Sequence, residues 1–242
     1  MTILAPQLRH VVRWVDTARR GVLALVLAAS LASCAPSDGP GPGPEQLWQV
    51  QPQADGTLDV LGITLGTSTL LELRETLGKP AAIGLFTRGD EPVSLEAYFG
   101  EVRLGGLSAK IVAVAAAGPR ILAELHGRSI KPGKAMPSGA RRHDLTDADL
   151  RMVQSLPVAG LTVVPVAAMD RALVERLFGA PQTRATIDEE REYLLYPERG
   201  TAVLVNARGR EMIHYVAPRA FASLRSRITD GDLDPLGVSG PG

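Results

Sequence analysis

Apolar and polar positions change period several times along this chain, and the changes mark out its elements. Residues 21–31 read GVLALVLAASL, an unbroken apolar run of 11 residues. Arg19-Arg20 precede it, and Ala32-Ser33-Cys34 follow it. A positive end, a short apolar run and a small-residue junction predict a secretory signal peptide over residues 1–33. A transmembrane helix needs about 20 apolar residues, so the run is short for one. A buried core helix is opposed by Pro36-Ser37-Asp38-Gly39-Pro40-Gly41-Pro42-Gly43-Pro44, which continues no helix. That stretch predicts an extended tether over residues 34–56.

Helical and strand periods then alternate. Leu70, Leu73 and Leu77 put one apolar stripe on a short helix, with Thr67 or Ser68 as N-cap, Gly78 as C-cap and Pro80 as the stop. Met169, Ala172, Leu173 and Leu177 make a second stripe, ended by Gly179 and Pro181. Val93, Leu95, Ala97 and Phe99 alternate with Ser94, Glu96 and Tyr98, the period of a half-buried strand. Strands over 101–104 and 110–115 follow, turned by Gly105-Gly106. Further strands are predicted over 192–196, 201–205 and 211–216, with Asn206-Ala207-Arg208-Gly209 as a hairpin loop. Residues 147–156 form a helix capped by Thr146, and Phe221, Leu224 and Ile228 mark a C-terminal helix.

The same order of features occurs twice: a Gly-x-Thr, a helix ending in Gly-x-Pro, a strand with Glu and Tyr, and a hairpin. This predicts a duplicated unit. The expected fold class is α+β, with two tandem units, each a short helix packed on an antiparallel β-meander. The first occupies 57–126 and the second, with the C-terminal helix, 159–229. A linker with a short helix spans 127–158, and 230–242 form a disordered tail.

Charge narrows the partners. The chain has 26 Lys and Arg against 26 Asp and Glu. Removing the signal takes away Arg9, Arg13, Arg19, Arg20 and Asp16, leaving 22 basic and 25 acidic residues, a net charge of −3. No basic excess remains to drive nucleic-acid binding. Cys34 is the only cysteine, so the folded part forms neither a disulfide nor a thiolate metal site. It stands in Leu31-Ala32-Ser33-Cys34, which looks like a lipobox whose Cys thiol takes a diacylglycerol. Lipidation at Cys34 would attach the protein to a membrane. Ala35 follows, where Asp would signal inner-membrane retention in enteric bacteria, so the expected residence is the outer membrane, facing the periplasm. Arg19-Arg20 keeps part of a twin-arginine pattern. Sec and Tat export both stay open, as does a start downstream of Met1.

Catalytic patterns are sparse. His143-Asp144 would serve as a base with its orienting acid, but Arg141-Arg142-His143-Asp144 reads as a polar loop. His214, in Met212-Ile213-His214-Tyr215, reads as a satisfied strand histidine, and His126 stands alone. The sequence contains no His-x-x-x-His, His-Glu-x-x-His or Gly-x-Ser-x-Gly. Asp188-Glu189-Glu190 lacks the alternating spacing of a calcium loop. No enzyme activity, metal or cofactor is expected.

Leu65-Gly66-Thr67 through Leu77-Gly78-Lys79-Pro80, with Tyr98 in a later strand, resembles the SmpA/BamE family of outer-membrane lipoproteins. More broadly it resembles the tandem-repeat fold of the β-lactamase inhibitory protein. The resemblance implies a helical segment followed by an antiparallel sheet in each unit. Departures are a Gly66-to-Gly78 interval about one residue long, Thr67 directly after Gly66, and no Trp before the Tyr. Directly before its helix the second copy has Pro165-Val166-Ala167-Ala168, where the family has Gly-x-Thr.

These readings converge on a lipid-anchored, non-enzymatic binding or assembly module for another envelope macromolecule, most simply another envelope protein. The strand tyrosines Tyr98, Tyr193 and Tyr196 are its candidate binding surface. A cell-wall or small-ligand binding lipoprotein and an inhibitor of a periplasmic enzyme are the alternatives.

Overall fold

A computed structural model describes residues 48–104, 107–136, 139–231 and 233. The expected signal peptide, Cys34, the first part of the expected tether, the expected Gly105-Gly106 turn and most of the expected tail lie outside the described residues. The described chain opens with a small antiparallel sheet of β1 (Gln51–Pro52), β2 (Leu58–Val60) and β3 (Ile63–Leu65), in that order. Leu61-Gly62 joins β2 to β3 with both residues at positive φ, 52° and 78°, which suits the twist of a two-residue hairpin. Left-handed geometry costs Leu61 about 1–2 kcal/mol. Burial of its side chain in the core offsets that cost.

Helix α1 (Leu70–Leu77) comes next, with Leu70 and Leu73 buried as the apolar stripe predicts. Its N-cap is Thr69 rather than Thr67 or Ser68. Thr69 Oγ1 accepts from the Glu72 N–H at 3.2 Å, and Glu72 Oε2 accepts from the Thr69 N–H at 2.6 Å, a closed capping box. Gly78, at φ 60°, ends the helix in the left-handed conformation.

The other strands are β4 (Ala82–Arg88), β5 (Glu91–Leu104), β6 (Leu107–Ala115), β7 (Ile130–Ala135), β8 (Ala140–Asp144), β9 (Val158–Pro165), β10 (Thr183–Thr186), β11 (Arg191–Tyr196), β12 (Thr201–Asn206) and β13 (Met212–Val216). They form one antiparallel sheet of ten strands in the order β10-β11-β12-β13-β9-β6-β5-β4-β8-β7. Four more helices accompany it: α2 (Pro119–Arg128), α3 (Asp147–Val153), α4 (Arg171–Phe178) and α5 (Phe221–Thr229).

This mostly β architecture corrects the expectation of two tandem helix-on-meander units. The cause is β9, which is buried on both faces from Gly160 to Pro165. A strand so placed must have both edges paired, because its backbone polar groups have no water to bond. β6 takes one edge (Ile111 opposite Val163) and β13 the other (Ile213 opposite Val163). The two meanders therefore share one sheet. Segments 62–118 and 160–218 are not copies of each other either: Ile63–Leu65 belongs to the small sheet, whereas β9 is central in the large one. Residues 127–158 carry β7 and β8 as well as α3, and β8 extends the sheet by pairing with β4.

Each face of the large sheet has its own covering. Leu85, Leu95, Ile111, Val163, Ile213 and Val203 face the main core, with Leu70 and Leu73 of α1, Leu125 of α2, Val153 of α3, Val174 and Phe178 of α4, and the small sheet. In α4 the observed buried positions differ from the expected Ala172, Leu173 and Leu177. Ala172 is exposed, and the two leucines are half-buried. Asp170 caps the helix through the Leu173 N–H at 2.7 Å, and the Phe178 ring takes the deep position between Trp48 and Tyr196, at centroid distances of 5.6 and 5.7 Å. On the opposite face, Phe221, Leu224 and Ile228 of α5 cover Val164, Tyr193, Leu195, Ala202, Leu204 and Met212.

The sheet's edges are poorly suited to accept another strand. β10 has four residues, while β7 contains Pro132 and pairs with β8 in broken register.

Candidate functional site

Helix α5 covers only the β9–β13 half of its face. Over β4, β5 and β6, residues of that face pack into neither apolar core. A β-bulge sets this face. The β5–β6 register shifts between Tyr98 and Glu101 where Gly100 takes φ 65°, and the extra residue keeps Val102 and Leu104 on the core side with Leu95, Ala97 and Phe99. Tyr98 is thereby left on the other side, half-buried. Its cross-strand neighbours are Ala82 and Val112, and Thr162 and His214 continue the row under α5. Phe86 and Val114 are half-buried on the same side. Arg142, paired opposite Phe86, lies across Gly84, where an added methyl would meet its side chain at 2.5–3.1 Å. Its guanidinium donates to the Ile83 carbonyl at 3.2 Å and pairs with Asp144 at 3.1 Å. The open area thus has an aromatic and aliphatic centre with a fixed cation beside it.

Two buried polar sites lie on this face, one around His214 and one at Glu96. His214 is 3% exposed; its Nδ1 lies 3.0 Å from Thr162 Oγ1 and its Nε2 3.3 Å from Tyr193 OH. Burial holds the imidazole down to about 4, with the charge of Arg227 acting in the same direction. The same desolvation pushes Tyr193 up to about 12. Glu96, 7% exposed, accepts from Ser94 Oγ at 2.7 Å. Burial pushes its carboxyl up to about 7, against the opposing effects of the Ser94 hydrogen bond and Arg227. Burial therefore favours a neutral histidine at His214 and, below neutral pH, a neutral glutamic acid at Glu96.

The three candidate tyrosines do not form one surface. Tyr193 belongs to the buried site around His214. Tyr196, 2% exposed, lies on the main-core side and donates to the Gly179 carbonyl at 3.0 Å. Only Tyr98 reaches solvent, because α5 and α4 cover the other two. No protein-family model, curated protein or solved structure matches the chain. The likeness to the SmpA/BamE family thus rests on motif residues alone, and the tandem fold it implies is not the one observed.

His143 and Asp144 are adjacent in β8 and point to opposite faces. His143 lies 3.1 Å from Thr87 Oγ1 and 3.3 Å from Ser129 Oγ, with the His126 ring edge-on at 4.9 Å, whereas Asp144 pairs with Arg142. They do not form a base and its orienting acid. Burial, then His126 and Arg141, holds His143 below the usual histidine range. Among the described residues there is no group of three or more His, Cys, Asp or Glu placed to hold a metal ion. No described helix is long and apolar enough to cross a membrane.

Sequence reasoning missed how the tether joins the fold. The Trp48 ring stands edge-on to Phe178, and Arg199 donates to the carbonyls of Trp48 (3.4 Å) and Phe178 (2.7 Å). The signal was Trp48, shortly after the Pro/Gly run ends at Pro44, a large apolar side chain beside a stretch that otherwise needs none.

Proposed function

We propose that this protein is a lipid-anchored binding module of the cell envelope. Cys34 carries the anchor, and the open sheet face around Tyr98 receives another envelope protein. The observation that carries this reading is the half-covered sheet. α5 closes one half of the face, while Phe86, Tyr98 and Val114 remain half-buried on the other, beside the fixed Arg142 guanidinium. An aromatic centre on a rigid surface with a cation at its border has the make-up of a protein-binding patch. The lipobox and tether support the envelope location, with the outer membrane facing the periplasm as its most direct form.

The test is crosslinking in cells from a photoreactive residue at position 98 of the lipidated protein, with the same residue at Ile187, 39% exposed, as control. A discrete adduct is expected from position 98 and not from 187, and Phe86→Asp should abolish it while leaving the melting temperature nearly unchanged. Equal adducts at both positions, or indifference to Phe86→Asp, would overturn the reading.

A further inference from the structure

On the sheet face opposite Tyr98, a cavity of about 160 Å³ lies between α1, α3 and the β4–β5 pair. Leu70, Pro80, Ala81, Ile83, Ala97, Phe99 and Leu150 line it with apolar side chains. Two polar side chains stand among them, Arg74 and Gln154, and Arg74 Nη1 donates to Gln154 Oε1 at 2.8 Å. Gln154 is itself held in place. Its Nε2 donates to the Leu150 carbonyl at 3.0 Å, and its own carbonyl accepts from the Leu71 N–H at 3.0 Å. The guanidinium is thus oriented by a neutral amide oxygen. Among the described residues no carboxylate lies within ion-pair distance of Arg74.

We propose that this cavity binds a small carboxylic acid with a compact apolar body, Arg74 taking the carboxylate. Size sets the body: a dry cavity of roughly 150 Å³ holds a benzene ring, so one phenyl ring or a branched group of similar volume fits and a long acyl chain does not. The lining sets its polarity, because away from Arg74 and Gln154 its seven apolar residues offer no partner to a hydroxyl or amide on the ligand body. The charge sets the head. Arg74 commits one donor to Gln154, and a planar guanidinium fork matches a carboxylate. Gln154 is a positioning residue that holds the fork at the cavity. This site is independent of the docking face, which lies on the other side of the sheet.

The experiment titrates the methyl-labelled full chain in detergent with 3-phenylpropionate and with 3-phenylpropionamide, free ligand being fixed by dialysis. The acid should give saturable shifts at the Leu70, Ala81 and Ala97 methyls and bind about tenfold or more tighter than the amide, as a charge-assisted pair requires. Arg74→Gln should remove that preference with the spectrum of the fold intact. Ala81→Leu, which fills the cavity while keeping Arg74, should abolish binding of both compounds. Equal affinity for acid and amide, absence of saturation at these methyls, or unchanged binding in Ala81→Leu would overturn the proposal.

Discussion

Replacing Glu96 by glutamine should change the pH dependence of stability in a direction fixed by its surroundings. The carboxyl is raised from 4.5 to about 7 in the folded protein, mainly by burial, with Ser94 and Arg227 opposing. The folded state therefore holds a proton that the unfolded chain has released. That contribution is fully present below about pH 4.5 and is lost as pH rises through 7. At about 1.4 kcal/mol for each pH unit of pKa displacement, the loss comes to about 3 kcal/mol, a large share of a typical domain's 5–15 kcal/mol. His214, lowered from 6.5 to about 4 by burial, acts in the opposite sense. Its contribution is present above about 6.5 and is lost as pH falls through 4. Between pH 4.5 and 6.5 their opposite pH slopes nearly cancel, so the wild type conceals both. Glu96→Gln keeps the acceptor for Ser94 and removes one titration. It should match the wild type near pH 4 and exceed its stability by about 3 kcal/mol at pH 7.5. His214→Gln should give the mirror image, matching above pH 7 and exceeding the wild type near pH 4. Urea unfolding from pH 4 to 7.5 at fixed ionic strength checks this. Subtracting the wild-type curve removes the carboxylates held low by their own partners, such as Asp149 beside Arg128. Parallel curves for Glu96→Gln and wild type would refute the reasoning.

Cys34→Ser should abolish lipid attachment, so mass spectrometry should find an acylated N-terminal cysteine in the wild type and an uncleaved, unmodified precursor in the variant. Leu73, fully buried in the main core, should cost about 2–5 kcal/mol when truncated to Ala, read as a lower urea midpoint. Tyr98→Ala should leave that midpoint nearly unchanged, because the ring packs into neither core.

Elements with their own period and punctuation were legible in the sequence. α1 follows its Leu70-Leu73 stripe to Gly78, α3 is capped by Thr146, α5 buries Phe221, Leu224 and Ile228, and β6, β11, β12 and β13 fall where alternation placed them, whereas the strands expected over 93–99 and 101–104 are one bulged strand, β5. α2 was also written there, with Pro119 in its first turn and Leu122 and Leu125 buried three residues apart, but its brevity and the Gly127 near its end hide it. β7 and β8 were not legible. Their residues are polar or Pro/Gly-containing because they lie at the sheet's end, and only pairing with β4 makes Ala140–Asp144 a strand. The buried polar sites were half legible. Glu96 in an alternating strand announces a solvated position, and nothing local tells that a helix 130 residues later brings Arg227 near it.

The same long-range pairing explains why a repeat in the sequence did not become a repeat in space. Two helix-and-meander units would each leave β6 and β9 as edge strands, and both are strongly apolar, with Ile111 and Val163 buried in the main core. Exposed apolar edges pair, so joining β6 to β9 removes two of them at once. Joining them also places Trp48 and the half-covered face over different strands of one sheet. Trp48 is held at Phe178 and Arg199, beside β11, whereas Tyr98 lies on β5, five strands away in the sheet order. At about 4.8 Å per strand that separation is roughly 24 Å. The point where the chain enters the fold at Trp48 and the half-covered face at Tyr98 are therefore separate on the sheet, so a substitution at one should leave the packing of the other unchanged.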